Sequence, residues 1–124
     1  MGSIHDIVTL IPWQESWADS FQKEKRQIEE AVRAVGISAE VYHVGSTSVK
    51  GMISKPVIDI LVCPSEVVSL DAAAEALRGI GYANLGECGR PGRYFLSKGD
   101  RPNETFYLHL CHRDNQVARD QLQF

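Results

Sequence analysis

Three groups of residues in this 124-residue chain have types and spacings that could do chemistry. The first is Gly45-Ser46-Thr47-Ser48, a glycine followed by three hydroxylated side chains at the end of "VYHV". Backbone N–H groups and hydroxyls gathered in such a turn can hold an anion, and a helix beginning there would add the positive end of its dipole. The same residues also make an ordinary Ser/Thr-capped helix start. The GxxxxGK[ST] pattern of a P-loop is not matched. The second group is Lys55 and Asp59 in "KPVIDILV". An ionised carboxylate inside an apolar run is costly to bury without a partner. Near a strand end it could hold a divalent cation or act as a base, or it could pair with a lysine or with loop donors. The third group is Arg93 in "RYFLSK" with Tyr107 and His109 in "FYLHLC". An arginine can grip a phosphate or carboxylate with two parallel hydrogen bonds. His109, Cys111 and His112 carry metal-ligating atoms, but a zinc site wants four ligands and no second cluster accompanies them. His43 is either a site residue or a satisfied core histidine.

Composition narrows the classes. The chain is long enough for one domain with a core of its own, and 44% hydrophobic with 23% charged residues is an ordinary globular balance. A net charge of −3 gives no basic footprint for nucleic acid, so no nucleic-acid partner is expected. Cys63, Cys88 and Cys111 are widely spaced and odd in number, which suits a reduced cytoplasmic protein better than a disulfide framework. "MGSIHDIVTL" lacks the layout of a signal peptide, and Asp6 stands where a myristoylation motif needs Ser or Thr. The apolar runs are too short to span a bilayer, so no membrane association is expected.

The elements that must position these groups follow from periodicity. Residues 7 to 11 read as a short strand ended by Pro12. Trp17, Phe21, Ile28, Val32 and Val35 recur at helical spacing, which predicts a helix over 16 to 35 with Ser16 as N-cap and Gly36 as stop. Residues 39 to 44 read as a strand, followed by the Gly45 turn and a short irregular helix. Residues 57 to 62 form an apolar run suited to a strand covered on both faces, closed by Pro64 and Ser65. Alanine-rich residues 68 to 81 read as a helix, and 83 to 92, broken by Gly86, Gly89, Pro91 and Gly92, as a loop. Residues 93 to 98 and 105 to 111 read as an antiparallel pair, and the tail from Asn115 as the beginning of a helix. This order predicts an α/β (α+β) sheet of mixed direction flanked by helices.

With "LIPWQESWADSFQKEK", "HVGSTSVKGMISKPVIDILV", "RYFLSKG" and "FYLHL" in view, the sequence resembles the GrpB family of bacterial proteins from about residue 7 to the end. The resemblance implies the nucleotidyltransferase fold, a polymerase-β palm-like mixed sheet flanked by helices. In that superfamily a Gly-Ser turn approaches nucleotide phosphates, and an Asp-x-Asp strand with a later third carboxylate holds magnesium. Gly45 and Ser46 match the turn. Asp59 matches the second aspartate, whereas Val57 stands at the first and His109 where the third carboxylate is expected. Lys50 replaces a common proline. Family members continue with further helices, so a single domain over 1–124 lacking its C-terminal helical part is expected, with exposed apolar surface favouring a homodimer.

The resemblance thus implies a protein binding a nucleotide or phosphorylated small molecule. Gly45, Ser46, Thr47, Lys55 and Arg93 would bind phosphate, Asp59 and His109 would be the catalytic pair, and Asp59 would hold a single Mg2+ for nucleotidyl transfer. The alternative is a non-catalytic binding or accessory module in which Asp59 pairs with Lys55 or Arg93.

Overall fold

The computed structural model describes residues 10–66, 69–100 and 103–123. Helix α1 (Glu15–Arg33) carries a buried stripe of Trp17, Phe21, Glu24, Ile28 and Val32, at the spacing that aligns side chains on one helix face. Val35 is not part of that stripe and is exposed. No side chain caps the N-terminus at Gln14, so Ser16 is not the N-cap. The C-terminus closes as expected at Gly36, whose φ of +81° lets Gly36 N–H bond Arg33 O and Ile37 N–H bond Val32 O.

Strand β1 (Ala39–Val44) leads through Gly45 into a single 3-10 turn, Ser46–Ser48. Strand β2 (Ile58–Pro64) follows, ending at Pro64 rather than before it. After helix α2 (Leu70–Arg78) come β3 (Tyr82–Asn84), β4 (Tyr94–Lys98), β5 (Phe106–Leu110) and the short helix α3 (Gln116–Gln121). The β3 strand corrects the loop expected from residue 83 onward. Three residues give too little alternation to register as a strand, and pairing of Tyr82 with Lys98 of β4 supplies what the local sequence does not. The strand expected over 7 to 11 lies mostly outside the described residues, and its end at Ile11 forms an isolated bridge with Ser54.

The five strands form one mixed sheet in the order β1-β2-β5-β4-β3. β1 and β2 are antiparallel, β2 and β5 parallel, and β4 antiparallel to both β5 and β3. This agrees with a nucleotidyltransferase-like α/β fold. Alternation then sorts the side chains. Ile58, Ile60 and Val62 of β2, with Phe106, Leu108 and Leu110 of β5, meet Trp17, Phe21, Ile28, Val32 and Leu77 of α1 and α2 in the main core. The opposite face carries Val44, Leu61, Cys63 and Cys111 beneath Val117 and Ala118 of α3. A buried polar tie joins the first face to α1: Tyr82 Oη and Lys98 Nζ both donate to Glu24 Oε2, at 2.7 and 2.8 Å. No helix among the described residues is long and apolar enough to cross a membrane.

Candidate functional site

Among the described residues, α3 covers one end of the second sheet face. Register places Asp59 of β2 beside Tyr107 of β5, Tyr107 beside Ser97 of β4, and His109 between Leu61 and Phe95. Asp59, Tyr107, His109, Phe95 and Ser97 therefore share this face, and all are only partly buried. The sheet brings Arg93 and Lys55 to the same group, as the next contacts show.

Asp59 and Gly45 are built against each other. Val44 pairs with Asp59, so the turn after β1 begins directly over the carboxylate. Gly45 has φ +73°, and a Cβ there would lie 2.7 Å from Asp59 Oδ2. Only glycine combines that backbone conformation with that proximity. Burial raises the Asp59 carboxyl from its ordinary 3.8 to about 6, with the positive charge of Lys55 acting in the opposite direction. Among the described residues nothing donates a hydrogen bond to this carboxylate, and neither Lys55 nor Arg93 forms an ion pair with it. The pairing expected for a purely structural aspartate is thus not what holds Asp59. Lys55 is exposed, with its ammonium 5.6 Å from the centre of the Tyr107 ring.

Arg93, which the resemblance places on phosphate, is turned inward. It is only 7% exposed, held at the foot of β4. Nη1 donates to His109 Nδ1 at 2.9 Å and Nη2 to the Glu87 carbonyl at 3.0 Å, while the buried Nε–H has no acceptor among the described residues. A guanidinium can only donate, so Nδ1 of His109 is an acceptor and the imidazole proton sits on Nε2. Burial, Arg93 and Arg90 together depress the His109 pKa from 6.5 to about 4. His109 is accordingly a neutral imidazole near pH 7 that presents its Nε2–H as a donor.

The turn residues divide. Ser54 Oγ donates to Lys55 O at 3.0 Å and so accepts from Ser46 Oγ, which ties Ser46 to the strand approach. Ser48 Oγ donates to Gly45 O. Thr47, expected at the phosphate, is wholly buried: its hydroxyl bonds His43 Nε2 at 3.0 Å and its carbonyl accepts from Trp13 Nε1. His43 stacks on Phe21 with ring centres 4.8 Å apart, which settles it as a satisfied core histidine. Thr47 and His43 therefore anchor the turn from the helix side, away from Asp59.

The side chains of the described residues do not by themselves make a magnesium centre of the polymerase type. Val57 has no ligand atom at the first aspartate position, His109 replaces the third carboxylate, and among the described residues no group of three or more His, Cys, Asp and Glu could hold a metal ion. Phe95, which sequence reasoning did not single out, lies with its ring 5.3 Å from that of Tyr107, and the two wall the site. Their signal was the two-residue alternation that puts Tyr107 on the His109 side of β5.

Several known proteins are similar to this chain. The UPF0157 protein YqkA of Bacillus subtilis is 34% identical over 120 residues, 94% of this chain and 33% of its own length. The glutamate-rich protein GrpB of Alkalihalophilus pseudofirmus is 28% identical over 106 residues, covering 85% of this chain and 60% of that protein. The crystal structure of the conserved protein GrpB from Enterococcus faecalis superimposes with a TM-score of 0.75 at 31% identity, over 88% of this chain and 64% of that one. The chain thus spans between a third and two thirds of the length of these relatives. The family described as GrpB protein matches residues 7–124, and the chain belongs to the GrpB family.

Proposed function

We propose that the open sheet face binds a phosphorylated small molecule, a nucleotide being the leading class, without polymerase-like two-metal chemistry. The observation that carries this reading is Arg93, a buried guanidinium with no carboxylate partner among the described residues and an Nε–H without an acceptor. A buried cation without an anion is costly, and a ligand anion relieves that cost. Arg93 acts through His109, polarising its Nε2–H toward the open face, while Lys55 adds a mobile charge at the rim. Phe95 and Tyr107 offer aromatic surface for a base or other flat group. Asp59 is in this reading a carboxyl that shares a proton with the ligand, rather than the centre of a metal cluster.

Thermal unfolding with nucleoside mono-, di- and triphosphates, pyrophosphate and sugar phosphates, each with and without magnesium, tests the proposal. A ligand at about 100 times its dissociation constant should stabilise the fold by ~2.7 kcal/mol. Lys55→Ala, on an exposed residue, should weaken that shift while leaving the unliganded protein intact. An unchanged unfolding temperature with every phosphorylated compound overturns the reading. A shift that demands magnesium and vanishes in Asp59→Asn would instead restore Asp59 as a metal ligand and reopen nucleotidyl transfer.

A further inference from the structure

Cys63 and Cys111 lie outside the phosphate site and neither takes part in it. Cys111 N–H bonds the Val62 carbonyl, which in a parallel ladder sets Cys111 directly opposite Cys63. Both side chains point to the α3 face, both are fully buried, and both belong to the small cluster with Leu61, Val44, Val117 and Ala118. Neighbouring strands stand about 4.8 Å apart, within the Cα separation of roughly 4.4–6.8 Å that a disulfide spans. Helix α3 covers them. The six-residue helix α3 is tied down by its Asn115 cap and by an exposed Arg90–Asp120 contact of 3.5 Å.

We propose that Cys63 and Cys111 are a peroxide-reactive thiol pair that closes into a reversible disulfide. Beside Cys63, the Ala118 backbone and the charge of Arg93, the pKa of the Cys111 thiol is lowered against the opposing effects of burial and Asp114, whereas that of the Cys63 thiol is raised beside Cys111 and by burial. Cys111 is therefore the attacking sulfur. Its thiolate attacks one oxygen of hydrogen peroxide, the O–O bond breaks, hydroxide leaves and Cys111 becomes a sulfenic acid. Cys63 then loses its proton, its sulfur attacks Cys111 Sγ, and the sulfenic oxygen departs as water. Two thiols lose two electrons and two protons, and one peroxide becomes two waters. Peroxide is small enough to reach the pair through brief opening of α3, whereas a bulky disulfide reagent is not.

The exposed Cys88 is first replaced by serine, so that only the pair can react. Peroxide treatment of folded Cys88→Ser should remove two hydrogens in the intact mass, join the peptides containing residues 63 and 111, and reverse fully with dithiothreitol. Adding Cys63→Ser should leave a lasting sulfenic acid on Cys111 that dimedone traps, and adding Cys111→Ser should leave Cys63 unmodified. Circular dichroism on each variant confirms that it is folded before oxidation. Both thiols still free in folded Cys88→Ser after treatment overturns the proposal. So does sulfinic acid accumulating in place of the linked peptide, because a resolving thiol directly opposite on the neighbouring strand would have intercepted it.

Discussion

Arg93 Nη1 donates to His109 Nδ1 at 2.9 Å, across the β4–β5 pair, and that bond decides which ring nitrogen carries the proton. A histidine standing where a carboxylate is expected is thereby held as a neutral donor. Long-range nitrogen–proton NMR should show protonated Nε2, with a titration midpoint near 4 against an ordinary 6.5. Arg93→Gln should move the midpoint upward, because one of the charges opposing the imidazolium is gone. A midpoint that stays put would show that burial and Arg90 set it.

Asp59 and His109 should oppose each other in the pH dependence of stability. The Asp59 pKa is raised on folding, so its contribution is full below 3.8 and is lost as pH rises to about 6. The His109 pKa is lowered, so its contribution is full above 6.5 and is lost as pH falls to about 4. The two slopes nearly cancel in the native protein over this window. Asp59→Asn should unmask stability that rises with pH, and His109→Gln stability that falls with pH. Urea midpoints measured across the window decide it, and parallel curves for all three proteins would refute both assignments.

Above the Asp59 titration, Asp59→Asn should also be more stable than the native protein. The gain is on the order of 2 kcal/mol, somewhat less than the full shift implies because the group is not wholly shielded. Below pH ~4 the gain should disappear, since the carboxyl is then neutral in both states. A destabilised Asp59→Asn near neutral pH would mean that the carboxylate has a partner that holds it.

Gly45→Ala places a Cβ 2.7 Å from Asp59 Oδ2 on a backbone at φ +73°. The expected cost is roughly 3 kcal/mol, divided between the strained backbone and the contact. Asp59→Ser in the Gly45→Ala background should recover part of it, because only the contact is relieved. Chemical denaturation of the four proteins of this cycle gives the coupling directly. Strict additivity would show that the turn and the carboxylate do not press on each other.

Glu24 is 6% exposed at its side chain and accepts from both Tyr82 and Lys98. Glu24→Ala leaves an ammonium and a phenol unpaired against the core, at a cost of roughly 3 kcal/mol. Burial and the nearby carboxylate hold the Tyr82 phenol protonated well beyond its ordinary range. Removing Glu24 should therefore lower the pH at which Tyr82 ionises, which ultraviolet titration follows.

Much of the fold was legible in local pattern. The Trp17-Phe21-Ile28-Val32 stripe fixed α1, glycine at 36 marked its end, and the alternation in "FYLHL" separated Leu108 from His109. The Gly45-Ser46 turn and the strand bearing Asp59 were likewise visible, because a residue tolerating positive φ and a lone carboxylate in an apolar run both stand out one-dimensionally. Side-chain partners were not. Arg93 looks in sequence like a phosphate-gripping arginine, and only β4 lying beside β5 turns it inward to His109. Thr47 reads as one more hydroxyl in the turn, yet a single 3-10 turn rotates it to the opposite side, onto His43. Residue type and spacing thus determined most of the elements, though not β3, and which face the residues of the predicted strands occupy. The insertion of β5 between β2 and β4, a choice made by long-range pairing and common burial, decided that Asp59, Tyr107, His109 and Arg93 would share one face of the sheet.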